Sequence, residues 1–202
     1  EDIINLSNAD VFIYNGAGFE GYIEKIKNSI ENKDLIFFDA SIGINLILDD
    51  HDHDHNTSYD PHTWLSIKNA IINLENIKNI FCEIDEENSS FYEGNYEKYK
   101  AEFEDLYNEL FNELKDFKKR DIIVSHSAFS YLCNEFNLNQ IPIRGTFADD
   151  EPNALKMAKI INLALDKDIN TIFYEDEVNK KISETIAKEI GASTDILYPL
   201  ET

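Results

Sequence analysis

The sequence has little of what usually staples, breaks or anchors a chain. Among 202 residues there are two cysteines, four prolines and seven glycines. Cys82 and Cys133 lie in apolar, helix-like stretches and form no CxxC pair, so they read as buried free thiols, packed as small hydrophobes. No apolar run approaches the roughly 18 to 20 residues that span a bilayer. Cations are scarce as well: 18 Lys and Arg face 40 Asp and Glu, for a formal charge of -22. That balance argues against nucleic acid and anionic lipid, both of which need clustered positive charge. HExxH, GxSxG, Walker and GxGxxG motifs are absent, and no enzyme is expected. The chain opens on Glu1 and Asp2 without a charged n-region or apolar h-region, so any signal peptide is expected to have been removed or left out.

What remains is a globular composition with enough apolar surface for a real core. Short apolar runs alternate with helical patterns, the mark of an α/β fold with parallel strands. Strands are expected at Asp10–Tyr14, Leu35–Phe38, Asp121–Ser125, Ile141–Ile143, Thr171–Glu175 and Asp195–Tyr198. Ser66 is the expected N-cap of an amphipathic helix reaching Ile84. Pro152 is expected to start another helix, and Gly191 to close the one that carries Ile182, Ile186 and Ile190. Between the early and late strands, Phe91 to Lys119 reads as one long helix. Roughly 40 Å long at 1.5 Å per residue, it would link an N-terminal lobe, residues 1–90, to a C-terminal lobe, residues 120–202.

Histidine is rare, yet three of the five sit in the segment Asp49 to His55, reading DDHDHDH. Imidazole and carboxylate both bind zinc, so His51, His53 and His55, in a loop spanning residues 49–58, form a candidate transient collector of cations. His62 follows in Asp60-Pro61-His62-Thr63-Trp64-Leu65, where Asp60 can orient the ring as a hydrogen-bond acceptor behind it. His126 stands at the carboxyl end of the strand Asp121–Ser125, where ligands bind in open α/β sheets. It is expected to open the next helix, whose positive end would favour the neutral imidazole that coordinates metal. Glu201 follows Pro199 at another strand end. On the residues alone each has a second reading: a capping residue for His62, a core-bonded histidine for His126, and one acid among many for Glu201.

Seven segments in collinear order resemble the zinc and manganese receptors of bacterial ABC importers, the metal-binding cluster of solute-binding proteins. They are Ala9-Asp10 with Asn15-Gly16-Ala17-Gly18-Phe19-Glu20, the histidine-rich loop, Asp60 to Leu65, the long helix, Val124 to Tyr131, Thr171 to Glu175, and Tyr198-Pro199-Leu200-Glu201. The resemblance implies two α/β lobes of parallel sheets flanked by helices, one long rigid helix between them, and a metal in the interlobe cleft. It implies His62, His126 and Glu201 as ligands. Manganese members commonly carry an acid where His126 stands and an aspartate at the end, so the resemblance favours Zn2+ over Mn2+, in line with the preference of imidazole for zinc. A first ligand histidine is expected before Glu1 and a closing helix after Thr202.

The expected protein is therefore an extracytoplasmic receptor, periplasmic or lipid-anchored, that acts as a monomer and delivers zinc to the membrane permease of an ABC importer. Alternatives are a manganese or iron receptor of the same family, a zinc-dependent hydrolase, or a surface adhesin stabilised by metal. Affinity is expected to fall in acid as the imidazoles protonate near about 6.5.

Overall fold

The structure is a computed structural model that describes residues 2–49, 59–146, 152–175 and 177–201. Elements follow in the order α1 (Asp2–Ser7), β1 (Val11–Tyr14), α2 (Ile23–Ser29), β2 (Ile36–Asp39), a 3-10 turn (Thr63–Leu65), α3 (Ile67–Ile84), a second 3-10 turn (Glu86–Asn88) and α4 (Ser89–Leu114). The second half continues with β3 (Asp121–Val124), α5 (Ser130–Phe136), β4 (Asn139–Pro142), α6 (Ala154–Asp166), β5 (Thr171–Tyr174), α7 (Glu177–Ile190) and β6 (Ser193–Ile196). Strands β1 and β2 pair in parallel, and a separate parallel sheet runs β4-β3-β5-β6. This is the expected α/β class, with parallel sheets flanked by helices and one long helix.

Period-two alternation of side chains sets the layers of the second sheet. Ile123 and Ile172 turn to one face, where they pack with Ile160 and Ala164 of α6 and Ile186 and Ala187 of α7. Their neighbours Ile122, Val124 and Phe173 turn to the other, against Phe129, Cys133 and Leu65. Both faces are covered, as a parallel sheet requires. Leu65 belongs to the segment around His62, so that segment is seated on the second sheet. Cys133 is buried, which pushes its thiol up to about 12, whereas Cys82 is only half-buried.

Several boundaries differ from the sequence reading. Strands β4 and β6 each begin two residues earlier than expected, at Asn139 and Ser193. Both are outer strands, and a sheet edge accepts polar residues that a hydrophobic pattern passes over. Helix α6 starts at Ala154, not at Pro152, because Asn153 caps it by accepting the Lys156 N–H at 2.9 Å. Ser66 does cap α3, accepting the Asn69 N–H at 3.2 Å, and Gly191, at φ +70°, follows the last residue of α7.

Helix α4 has 26 residues, about 39 Å. It ends at Leu114, five residues before the expected Lys119. Phe117 N–H bonds back to Leu114 O in a tighter turn, and Arg120 Nη2 caps the Lys115 carbonyl at 2.9 Å. At its start Tyr92 stacks on Phe81 of α3; farther on, Tyr107 stacks on Phe136 of α5. One rod therefore touches the helices of both halves.

The two halves also meet at α5, where Glu135 accepts the backbone N–H groups of Ile67 and Lys68 at 2.8 and 3.1 Å. A carboxylate on the free donors of a helix N-terminus is stabilising. Glu135→Ala is expected to cost about 1–2 kcal/mol of stability, read as a lower urea midpoint with unchanged slope; an unchanged midpoint would show that the cap contributes nothing.

Candidate metal centre

Three chain segments converge where β2, β3 and β6 lead out at their carboxyl ends. His62 precedes the 3-10 turn before α3, His126 lies two residues beyond β3, and Glu201 lies five residues beyond β6. Both histidines are 2% exposed. Their rings sit 5.3 Å apart at 63°, and both direct Nε2 at the same oxygen: Glu201 Oε1 is 3.0 Å from His62 and 3.3 Å from His126. One donor atom from each of the three side chains falls within 4.8 Å of the other two.

The opposite ring nitrogens are held by acids. His62 Nδ1 lies 2.7 Å from Asp60 Oδ1, which also accepts the His62 backbone N–H at 3.0 Å. His126 Nδ1 bonds Glu175 Oε1, and Ser125 Oγ donates to the same oxygen. With Nδ1–H engaged on a carboxylate, Nε2 is the nitrogen left for coordination, the arrangement that fixes tautomer and ring orientation at zinc sites.

The spacing fits a small dication. Four ligands at the 2.0–2.2 Å typical of Zn–N and Zn–O bonds stand about 3.3–3.6 Å apart along a tetrahedral edge. Octahedral metals give edges near 3 Å, so size alone does not choose the ion; two imidazoles with one carboxylate favour zinc over the oxygen-seeking manganese.

Electrostatics correct one expectation. His126 does not open a helix: α5 begins at Ser130, has seven residues, and starts four positions further on. No helix end keeps the ring neutral. Burial alone would pull the imidazolium down, but hydrogen bonds to Glu175 and Glu201 outweigh it and lift His126 to about 9. His62 is also raised, with burial opposed by Asp60 and Glu201. Hydrogen bonds from His126 and His62 hold the Glu201 carboxyl down at about 2.

Neighbouring residues that sequence reasoning left without a role complete the site. Glu175 is the first; it directly follows β5, next to β3, so the strand-end rule that selected His126 would have selected it too. Tyr131 is another: its hydroxyl donates to Asp60 O at 2.8 Å and accepts the Ile47 N–H at 3.1 Å. Together with the antiparallel bridge between Leu48 and Tyr59, it fixes the chain on either side of the histidine-rich segment. His51, His53 and His55 themselves lie outside the described residues. The glycine turn after β1 braces the site from behind. Asn15 Nδ2 donates to Pro61 O at 3.2 Å, and a Cβ on Gly16, at φ +84°, would fall 1.8 Å from Asp39 Oδ1.

A family profile described as ZnuA, zinc-uptake complex component A, periplasmic, matches residues 1–202. The high-affinity zinc uptake system protein ZnuA of Bacillus subtilis is 34% identical over 214 residues, covering 100% of this chain and 66% of that protein. The chain thus spans just under two thirds of that relative. A crystal structure of ZnuA superposes with TM-score 0.87 at 32% identity, covering 98% of this chain and 75% of the other. A zinc-bound ZnuA deletion mutant gives TM-score 0.86 at 32% identity over 98% and 74% of the two chains.

In the metal-free chain, the His126–Glu201 contact stabilises the fold fully between pH 4.5 and 6.5, the ordinary values of the two groups. The contribution is lost as pH rises through about 9 and His126 deprotonates, and as pH falls through about 2 and Glu201 protonates. NMR titration of the His126 ring should therefore show a midpoint well above 6.5, and Glu201→Gln should lower it. A midpoint at or below 6.5 in the parent chain would overturn the assigned contacts.

Proposed function

Since the chain belongs to the family of periplasmic zinc-uptake complex component A proteins, we propose that it captures Zn2+ outside the cytoplasm and delivers it to the membrane permease of an ABC importer. His62, His126 and Glu201 are the ligands in this reading, and Asp60 and Glu175 hold the two rings in register behind them. The observation that carries it is the convergence of two buried Nε2 atoms on one carboxylate oxygen, at 3.0 and 3.3 Å. All three donors belong to one chain, which supports a receptor working as a monomer. The fourth corner of a zinc tetrahedron is taken by water or by a donor outside the described residues.

The two sheets act as lobes, residues 1–90 and 120–202, held at fixed spacing by the helix between them. The loop of His51, His53 and His55 gathers zinc and passes it inward. The protein resides outside the cytoplasm, in the periplasm or anchored by lipid at the outer face of the membrane. No bond in a substrate is broken; the cargo exchanges ligands.

Zinc binds neutral imidazole, so capture must displace protons. At pH 7, with His126 lifted to about 9, binding should release about one to two protons, measured by calorimetry in buffers of different ionisation enthalpy. Affinity should keep climbing up to about pH 9 instead of levelling off above 6.5. Changing both His62 and His126 to Ala should weaken zinc binding by more than about 100-fold, beyond the 10–100-fold typical of losing a partner behind a ligand. Parental affinity in that double variant would refute the ligand assignment.

A further inference from the structure

The three proposed ligands are not held alike. His62 and His126 are 2% exposed, whereas the Glu201 side chain is 31% exposed and stands on a coil beyond the end of β6. That strap is fixed at its root, where Leu197 N–H bonds Tyr174 O at 2.9 Å. Farther along, Tyr198 and Leu200 are solvent-exposed, and Leu200 sits at φ +59°, a conformation unfavourable for a residue with a β-carbon. Between its root and Glu201 the strap is gripped by a side chain of the first half. Trp64 Nε1–H donates to Pro199 O at 2.8 Å. The indole is itself set by Phe19, edge-on at 5.0 Å, and lies 5.3 Å from the His62 ring.

We infer that Trp64 is a positioning residue for the third ligand: its indole N–H latches the Pro199 carbonyl, sets Glu201 over the two imidazoles, and governs how fast zinc leaves. The inference rests on the zinc-receptor reading. Its physical basis is that the strap has a strained residue between latch and ligand. Without the latch, the carboxylate must be ordered at each binding event, and the entropy of ordering it subtracts from affinity. The exposed ligand then detaches first and the buried imidazoles last.

A double-mutant cycle tests this. Trp64→Phe keeps a ring against Phe19 and removes the donor. It should weaken zinc binding about fivefold to tenfold, the effect of one hydrogen bond, and speed chelator-driven release by a similar factor. In a Glu201→Ala background the same change should have no effect on affinity, since there is no carboxylate left to position. Replacing Trp64 by 3-benzothienylalanine, which keeps the bicyclic shape but lacks the N–H, should reproduce the loss even if Trp64→Phe folds poorly. Equal losses in both backgrounds, or no loss in the parent background from either replacement, would overturn the latch. A parent chain that takes up no zinc would overturn the receptor reading itself, and this inference with it; a parent that binds while its Trp64 variants bind equally well overturns the latch alone.

Discussion

Two imidazoles are buried here because acids surround them. Asp60, Glu175 and Glu201 face His62 and His126 from both sides of each ring. A buried charge is tolerated only when paired and hydrogen-bonded. Hydrogen bonds to these acids lift His126 to about 9 and raise His62 as well, against the pull of burial.

That balance depends on elements distant in sequence arriving together, and the short helix α5 does much of the joining. Tyr131 grips the carbonyl of Asp60, Glu135 caps α3 immediately after the His62 segment, and Phe136 stacks on Tyr107 of the long helix. His126 lies just upstream of the same helix. A seven-residue helix thus holds the first half of the chain at two points and the long helix at a third. Wide closure would have to break the first two of these ties, whereas movement of the exposed strap has to release Trp64, His62 and His126.

The α/β class was legible from alternation alone, and α3 from its stripe and its serine cap. Polar edge strands were not legible at their starts, because β4 opens on Asn139 and Gln140 and β6 on Ser193 and Thr194, with no apolar pattern to announce them. At the site, His126 was marked by its strand end, His62 by its motif, and Glu201 mainly by family likeness. Glu175 was written in the same code as His126 and passed unread, since one acid among forty attracts no attention. The ionisation of His126 was misjudged for a different reason. It depends on Glu175 and Glu201, 49 and 75 positions along the chain, and no local pattern reports such distant partners.

The bracket around the histidine-rich segment bears on how such chains diverge. Ile47 and Asp60 are pinned to one tyrosine hydroxyl, and Leu48 pairs with Tyr59, so the two ends of the segment between them are held close together. Doubling the length of what lies between adds only about 0.6 kcal/mol of closure entropy. Neither His62 nor α3 would feel the change. The segment is therefore free to change in length and composition over generations while the two buried histidines stay where they are.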